Sequence, residues 1–467
     1  MFTSYIELCD IILTIPLKEE VTAVKCDVLV IGGGPAGLIT AATAKKNYPD
    51  KKVVLVKKEE VGMVPCGIPY IFGTLGGTEK NILPTKGVEN LGVEVMVAEV
   101  QAAYHERKIA KTSKGDIEYD KIVLATGSEP VFPPIEGIQL EGVFAVSKYK
   151  TDLDKLYEAL QKAEKVVIIG GGFIGVEVAD EIRKMGKKVT LIEMMDHLIP
   201  AAFDEEFGRM AEEKLKEHGV EVLTSARVKS LSGTNRVEKV VLENGELQAD
   251  VVILSTGYKP RVSLGKELGV RLGETGAIWT DEYMRTSVPD VYAVGDCVEH
   301  ICFFTRKPSR LMLASTATFE ARVAGANLYK LRVLRTNKGN LAIFSTSIEG
   351  LTLGAAGCNE KMIKDEGFEV VVGEAKAPDR HPGSIPDVSQ ITMKLIFSAE
   401  SGHLLGGQVA GGKSVGEIIN MIGMAIQKGL TAAELATLQI GTHPLLTPAP
   451  TVYPIVTAAE NALMKMR

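Results

Sequence analysis

The chain has 467 residues, of which 45% are hydrophobic and 24% are charged, the proportions of an ordinary globular protein. This length exceeds what a single core can organise, so we expect about two to four domains. The formal net charge is −6 with no basic run, and no apolar run approaches the roughly 18 residues of a membrane span, which argues against nucleic acid and membrane as partners.

Residues 1–25 form an extension before the first strong strand, and they lack the basic segment that begins a signal peptide. The extension can add a helix or strand to a sheet edge, or stay partly disordered, and the sequence leaves both open. An apolar strand over 26–31 then leads through a glycine-rich turn into a helix over 38–48. Strand, glycine turn and helix in this order indicate a dinucleotide-binding fingerprint.

The turn of this fingerprint has three glycines with separate tasks. Gly32 permits the tight turn, Gly34 lets the backbone approach a pyrophosphate, and Gly37 lets helix and strand pack closely. The phosphates would meet the N-terminus of the helix. Pro35 and Ala36 complete the motif.

The next strand, over 52–56, should end in an acid that holds the ribose hydroxyls. Lys57 occupies that place, and a lysine cannot accept those hydrogen bonds. Glu59, backbone carbonyls or water are the alternative acceptors. The pyrophosphate site is unaffected by this departure.

A single thiol, Cys66, stands between two prolines and two glycines in the segment 62–73. The alternative is an inert buried cysteine, the usual fate of a free thiol. A helix beginning at Gly67 is expected to stabilise the thiolate. The remaining cysteines show neither Cys-x-x-Cys pairs nor the spacing of a disulfide framework, so we expect no metal site and a reducing cytoplasm. They are Cys9, Cys26, Cys297, Cys302 and Cys358.

A second fingerprint follows a strand beginning at residue 165. Its helix over 176–185 ends at Gly186, a C-cap signal. The strand over 188–192 then ends on Glu193, which can accept from ribose hydroxyls and would repel a 2′-phosphate, so NADH is favoured over NADPH. The motif residues are Gly170, Gly172, Phe173, Ile174 and Gly175.

Each nucleotide unit is followed by a strand that ends in a small turn, so one plan occurs twice, about 140 residues apart. The first turn is Ala125-Thr126-Gly127 and the second contains Gly257. A later apolar strand closes with Gly295-Asp296, where an acid after a glycine can meet a polyol chain.

The C-terminal part has a different texture, with an irregular, proline-stiffened stretch over 441–454 near its end. A helix is predicted over 415–429, with a capping box from Ser414 and Glu417. The predicted fold class is α/β, with two Rossmann-like dinucleotide-binding domains and a C-terminal α+β domain. Short strands are predicted over 351–357, 368–373, 391–397 and 404–409.

Together these motifs resemble the flavin-dependent pyridine nucleotide–disulfide oxidoreductases over about residues 26–467. The resemblance implies FAD, NAD(P)H and a homodimer. It also implies that Asp296 bonds the FAD ribityl chain, Phe173 covers the flavin and Glu177 lies beside the nicotinamide. The domains so predicted are an extension (1–25), an FAD-binding domain in two parts (26–148 and 276–341), an NAD-binding domain (149–275) and a dimerisation domain (342–467).

Within the family, Pro-Cys-Gly-Ile-Pro-Tyr around Cys66 resembles the single-cysteine branch, because Ile71 stands where two-cysteine members have their second thiol. That branch includes coenzyme A-disulfide reductases, NADH oxidases, NADH peroxidases and persulfide reductases. The oxidised form of Cys66 is then a mixed disulfide, persulfide or sulfenate. His443 resembles the family's acid–base, but Pro448 replaces its orienting glutamate, and Tyr453 is the rival candidate.

The leading hypothesis is an NADH-dependent flavoenzyme that passes electrons through Cys66 to a disulfide, persulfide, polysulfide or peroxide. A second hypothesis passes them from FAD directly to oxygen or a protein electron carrier. A third is a redox sensor that binds both nucleotides without turnover.

Overall fold

The computed structural model of the protein describes residues 24–334 and 339–466, so the extension predicted over 1–25 lies outside the described residues except for its last two. The first part of the chain builds most of a mixed sheet, which is parallel in its central strands and antiparallel at one edge. Its elements are β1 (Val24–Ile31), α1 (Pro35–Asn47), β2 (Val53–Lys57), β3 (Gly62–Met63), β4 (Ile82–Leu83), α2 (Lys86–Glu89), β5 (Glu94–Val97), β6 (Val100–Tyr104), β7 (Ile109–Thr112), β8 (Gly115–Leu124), β9 (Ser128–Pro130) and β10 (Val143–Ala145).

The middle part builds a second parallel sheet in the order β10–β17–β11–β12–β13. Because β10 pairs with β17 in this sheet, the second sheet begins before residue 149. The elements are α3 (Lys150–Lys162), β11 (Lys165–Ile169), α4 (Phe173–Lys184), β12 (Lys188–Ile192), α5 (Glu205–Glu217), β13 (Val220–Leu223), β14 (Val228–Ser232), β15 (Lys239–Leu242), β16 (Gly245–Gln248), β17 (Val251–Leu254), β18 (Tyr258–Pro260) and α6 (Ser263–Glu267).

The chain then returns to the first sheet, where β19 pairs in parallel with β8. The helix that follows packs against α1, and the sheet so completed has seven strands. The elements are β19 (Val291–Ala293), β20 (His300–Ile301), β21 (Pro308–Ser309) and α7 (Ala314–Asn327).

The last part is an antiparallel sheet in the order β22–β23–β26–β25–β24, covered by helices. Its apolar core is formed by the inward faces of the sheet, α9 and α11. The elements are β22 (Ile343–Ile348), β23 (Leu351–Gly357), α8 (Glu360–Asp365), β24 (Val370–Pro378), β25 (Gln390–Ser398), β26 (Leu404–Gly411), α9 (Val415–Lys428), α10 (Ala432–Ala436) and α11 (Pro454–Lys465).

The predicted fold class is confirmed, and the helix predicted over 415–429 is α9. The capping box predicted from Ser414 and Glu417 is wrong, because the Ser414 hydroxyl is buried without a hydrogen-bond partner. Thr431 and Glu434 form the capping box instead, at the start of α10. Gly429 ends α9 in the left-handed conformation (φ 67°), which glycine adopts without steric cost.

A buried lysine joins the middle and last parts of the chain. The Lys394 ammonium lies 2.9 Å from Asp204 and 2.7 Å from Glu360, and it also contacts Glu206. Because two of these acids belong to the segment around α5, the charge cluster fixes the C-terminal sheet against the second nucleotide unit. Among the described residues, no helix is long and apolar enough to cross a membrane.

Candidate active site

The two glycine-rich turns present matching helix N-termini. Gly34 precedes α1 and Gly172 precedes α4, and neither helix has a side-chain cap or an acid in its first turn. The free backbone amides and the positive end of each helix dipole are therefore open to an anion such as a pyrophosphate. A Cβ atom on either glycine would meet nothing within 4 Å, so the surface in front of each helix is clear.

The outer glycines of both motifs are required by close packing. A Cβ on Gly37 would lie 1.8 Å from the Gly32 carbonyl oxygen, and a Cβ on Gly175 would lie 1.8 Å from that of Gly170. Gly32 and Gly170 also adopt positive φ angles of 124° and 109°. The two turns thus share one geometry, and both fit the pyrophosphate of a dinucleotide.

The residue that ends β2, Lys57, and the residue that follows β12, Glu193, occupy equivalent places beneath these turns. The Glu193 carboxylate accepts from the Gly171 amide at 2.6 Å and from the Met195 amide at 2.8 Å, and only 7% of the residue is exposed. A Cβ on Gly171 would lie 2.9 Å from the Glu193 Cβ, and one on Gly33 would lie 2.6 Å from the Lys57 Cβ. Glu193 is therefore held at the position predicted for a ribose-binding acid, and Lys57 stands at the same position in the first unit.

The Lys57 ammonium acts only as a hydrogen-bond donor. Its ammonium donates to the Glu60 carbonyl at 2.8 Å, and burial lowers its pKa. Glu59 does not replace it, because its carboxylate accepts from the Lys150 amide at 3.1 Å and the Thr151 hydroxyl at 3.0 Å at the start of α3. The Glu59 carboxylate is thus bonded to the start of α3, which leaves backbone carbonyls and water as the predicted acceptors for the first ribose.

Asp296 follows β19 and lies in a polar cluster. Its carboxylate accepts from the Lys148 ammonium at 2.6 Å and from the Ser128 hydroxyl at 2.8 Å. Although burial opposes ionisation, Lys148 and Ser128 hold the pKa of Asp296 below its usual range. Gly295 adopts φ 77°, and a Cβ there would lie 3.0 Å from Ala36 on α1, so the acid is carried close to the first helix.

The small turns after β8 and β17 are brought side by side because β9 pairs antiparallel with β18. The Thr126 hydroxyl donates to the Arg261 carbonyl at 2.8 Å. Because Arg261 directly follows β18, this hydrogen bond links the turn after β8 to the end of β18. Gly127 and Gly257 have positive φ angles of 68° and 98°, and a Cβ on either would meet nothing. Ala125 directly follows the strand β8 beneath the first fingerprint, where its carbonyl oxygen would lie 2.1 Å from a Cβ on Gly32.

Cys66 lies in a short 3₁₀ turn, Pro65–Gly67, followed by a second one, Pro69–Ile71. The helix expected to begin at Gly67 is therefore wrong, and no helix dipole of useful length supports the thiolate. Cys66 is exposed, but the surrounding protein still desolvates it, and burial followed by the charge of Glu177 raises its pKa. Lys148 acts in the opposite direction.

Of the two acids that raise the pKa of the Cys66 thiol, Glu177 on α4 has the larger effect. Burial raises its pKa to about 7, although the Thr346 hydroxyl donates to it at 2.8 Å. Thr346 belongs to β22, so the C-terminal domain reaches this site. Glu181, one turn further, accepts from both the amide and the hydroxyl of Thr74, at 2.6 and 2.8 Å. These bonds fasten the cysteine-bearing segment to α4.

Phe173 and Ile174 begin α4, and both pack partly buried against the large core around the second sheet. The Phe173 ring stacks on Phe344 of the C-terminal domain, with centroids 4.9 Å apart and planes 19° apart. It also lies 6.1 Å from the Phe203 ring. Its role as a cover over the flavin stays a prediction.

The two acid–base candidates lie in the C-terminal domain. His443 is exposed, and its Nδ1 accepts from the Leu445 amide at 3.2 Å. Tyr453 is 6% exposed within the apolar core, where burial raises its pKa. Within the described chain neither is joined to Cys66 by a hydrogen bond, so both stay predictions. In contrast, Lys148 was missed from the sequence because it belongs to no motif and reaches Asp296 across 148 positions.

The chain matches two family descriptions, "Pyridine nucleotide-disulphide oxidoreductase" over residues 26–321 and its "dimerisation domain" over residues 343–452. It is 33% identical to an NADH oxidase of Methanocaldococcus jannaschii, over 94% of this chain and 99% of the relative. It is 37% identical to an NAD(P)H coenzyme A polysulfide/persulfide reductase of Pyrococcus horikoshii, over 83% and 88%. The solved NAD-dependent persulfide reductase from A. fulgidus superposes with a TM-score of 0.87 at 35% identity, covering 94% of this chain and 83% of that one. The chain therefore belongs to the pyridine nucleotide-disulphide oxidoreductase family.

Proposed function

We propose that this protein is an FAD-dependent NADH oxidoreductase that uses Cys66 to reduce a low-molecular-weight disulfide, persulfide or polysulfide, with peroxide as a further acceptor. Relatives of similar length are named for coenzyme A-dependent sulfur and persulfide reduction. The paired helix N-termini, the Glu193 carboxylate and the Asp296 cluster fit FAD in the first unit and NADH in the second.

The observation that carries this proposal is the setting of Cys66. It is the exposed cysteine of the described chain, since Cys26 and Cys302 are half-buried and Cys297 and Cys358 are buried. The charged groups that act on its thiol come from both nucleotide units. Glu177 belongs to the NADH-binding helix, and Lys148 and Asp296 belong to the FAD-side cluster. A thiol between two nucleotide sites suits electron transfer from one to the other and then to sulfur.

Bound FAD would supply the redox chemistry, because a flavin can accept a hydride from NADH and deliver an electron pair to sulfur. The chain's own residues supply the acid–base chemistry. The Lys148 ammonium favours the thiolate form of Cys66, which is the nucleophile toward a sulfur–sulfur bond. Glu177, with a pKa of about 7, can hold a proton beside this sulfur and give it to the departing thiolate. For a disulfide acceptor, NADH and a proton are consumed while the sulfur–sulfur bond is reduced to two thiols.

The second candidate function is NADH oxidation with oxygen as the electron acceptor and no sulfur step. The relative from M. jannaschii, which aligns over nearly its whole length, is named NADH oxidase. The raised pKa of Cys66 favours this alternative, because less of the thiol is present as the reactive thiolate.

We further propose a homodimer formed through the C-terminal domain, acting in a reducing cytoplasm. The domain exposes several large apolar side chains, including Met424 on α9 and Leu445, Leu446 and Val452 in the proline-stiffened stretch over 441–454. Adjacent exposed apolar residues, such as Leu445 and Leu446, favour an interface on this domain. The five described cysteines are free thiols, which suits a reducing compartment.

The test is steady-state NADH oxidation by the FAD-bound protein against oxygen, peroxide, coenzyme A disulfide, coenzyme A persulfide and polysulfide. Cys66→Ser should lower the kcat/KM for sulfur acceptors by at least about 10³-fold, because serine cannot form a sulfur–sulfur bond. NADH oxidation by oxygen should survive. Cys26→Ser, which changes a half-buried thiol at the start of β1, is the matched control. Native rates with every acceptor in Cys66→Ser would replace the proposal with the oxidase alternative.

A further inference from the structure

A second pair of thiols lies apart from Cys66, where the FAD-binding part meets the C-terminal domain. Cys302 directly follows β20, and Cys358 directly follows β23. For each thiol, the largest cause of its shifted pKa is a hydrogen bond with the other. Cys302 is half-buried, whereas Cys358 is 8% exposed. Two thiols from different domains, one accessible and one enclosed, are therefore in contact.

The backbone holds both cysteines in place. The Cys302 amide donates to the Lys307 carbonyl at 2.9 Å, and the Cys302 carbonyl accepts from the Arg306 amide at 3.2 Å, which closes the loop between β20 and β21. The Cys358 amide donates to the Leu405 carbonyl at 3.2 Å. A Cβ on Gly406 would lie 1.9 Å from the Cys358 carbonyl oxygen, so this strand end is tightly packed.

Two further contacts press the Cys302 loop onto the C-terminal domain. Phe304 packs against the small apolar cluster that contains Cys358 and Ile363. The Lys307 ammonium pairs with Glu366 at 2.7 Å. An apolar contact and an ion pair therefore both hold the Cys302 loop against the part of the C-terminal domain that carries Cys358.

The loop also differentiates the two thiols chemically. Hydrogen bonds from the Cys358 thiol, from the Thr305 hydroxyl and from the Thr305 and Phe304 amides lower the pKa of Cys302 to about 5. The same shared bond, together with burial, raises the pKa of Cys358. An accessible thiolate beside a buried thiol is the arrangement of an attacking and a resolving cysteine.

We propose that Cys302 and Cys358 form a second redox site, which a low-molecular-weight disulfide converts to an interdomain disulfide. The Cys302 thiolate attacks one sulfur of the disulfide, so a mixed disulfide forms and the first small thiolate leaves. Cys358, having lost its proton, then attacks the Cys302 sulfur, and the second small thiolate leaves. The two protein thiols are oxidised by two electrons, the small disulfide is reduced to two thiols, and the thiol protons pass to those products.

This site goes beyond the proposed function, because its oxidation requires neither Cys66 nor NADH. The disulfide would tie the β20–β21 loop to the end of β23 and so fix the FAD-binding part against the C-terminal domain. An excess of small thiols would reverse it by the same exchange. The state of the pair would thus follow the thiol–disulfide balance around the protein.

The experiment uses the full chain with bound FAD, reduced and freed of reductant, then incubated with glutathione disulfide. Remaining thiols are alkylated, and the digest is mapped by mass spectrometry. We expect a peptide pair joined through Cys302 and Cys358, its loss on return to reduced glutathione, and the same pair in Cys66→Ser. In Cys358→Ser, glutathione should stay attached to Cys302. Before oxidation, iodoacetamide should label Cys302 at least about tenfold faster than Cys26, whose pKa burial raises to about 12, when the pH is mildly acidic.

The wild-type map decides the matter even if a variant fails to fold. Cys302 fully alkylated after incubation, a mixed disulfide that is never resolved, or a link from Cys302 to a cysteine other than Cys358 would each overturn the proposal. Failure of the sulfur-acceptor assay with a joined Cys302–Cys358 pair would instead count only against the proposed function.

Discussion

Replacement of Glu177 by glutamine tests the electrostatics of the candidate site most directly. Burial raises the pKa of Glu177 from 4.5 to about 7. Glutamine has the shape of the protonated acid and keeps the oxygen that accepts from Thr346. Glu177→Gln therefore removes the titration while it preserves the packing of α4 against β22.

The sign and size of the effect follow from the raised pKa. When the pH is below the pKa that Glu177 has in the unfolded chain, Glu177 is protonated in both the folded and the unfolded protein. Its charge then has no effect on stability. As the pH rises toward 7 the unfolded chain loses this proton first, so the folded state loses stability up to about 3 kcal/mol, at about 1.4 kcal/mol for each decade of proton affinity. Glutamine escapes this loss. Between about pH 5 and about pH 8.5 the variant should gain about 2.5 kcal/mol relative to the native protein.

The assay is urea denaturation of the FAD-bound protein at both pH values, without NADH. Glu213→Gln, at an exposed position on α5, is the control and should show no such pH-dependent gain. Glu177→Gln should also make Cys66 react faster with iodoacetamide at alkaline pH, because Glu177 raises the pKa of that thiol. A stability difference that does not change with pH, or a Cys66 that becomes slower, would refute the assignment of Glu177 as a proton-holding group beside the thiol.

Three further predictions concern the cofactor, the dimer and the domain contact. Glu193→Ala should narrow the NADH-over-NADPH ratio of kcat/KM at least about tenfold, because it removes the repulsion of a 2′-phosphate. An unchanged ratio, or native preference for NADPH, would contradict this. Leu446→Glu, at a residue 70% exposed, should convert a dimer to a monomer in light scattering, whereas Phe132→Glu, at a residue 59% exposed, should not. Lys394→Met should cost about 3–5 kcal/mol in urea denaturation, because it removes the buried cation that Asp204, Glu206 and Glu360 share, and the exposed Lys364→Met should cost less than about 1 kcal/mol. Equal effects of the two lysine substitutions would show that the buried cluster does not join the domains.

The parts of the site that depend on local backbone geometry could be predicted from the sequence. The glycines of both fingerprints are needed within a few residues of one another, and Gly37 and Gly175 pack against Gly32 and Gly170 as their spacing requires. The strand over 188–192 could be bounded to the residue for the same reason, since its apolar run ends on Glu193. Short-range requirements of this kind leave a pattern in the sequence.

Contacts between distant segments left no such pattern. Lys148 reaches Asp296, Thr346 reaches Glu177, and the bond between each pair depends on how whole domains pack. The capping signal at Ser414 failed for a related reason. Its spacing to Glu417 was right, but the tertiary environment buried the hydroxyl away from the helix amides. Local spacing therefore permits a contact without specifying it.

The equivalence of Lys57 and Glu193 shows how far one backbone geometry can serve two chemistries. Both side chains begin directly beneath a glycine of their own turn, where a Cβ on that glycine would lie 2.6 Å from the Lys57 Cβ and 2.9 Å from the Glu193 Cβ. In the second unit two backbone amides fix a carboxylate that can accept from ribose hydroxyls. In the first unit the buried lysine is turned to the Glu60 carbonyl, and burial lowers its pKa. We therefore expect donors or backbone groups to bind the first ribose, and the pyrophosphate turn and the Asp296 cluster to supply most of the affinity for FAD. We expect the choice between NADH and NADPH to depend on the single fixed carboxylate of Glu193.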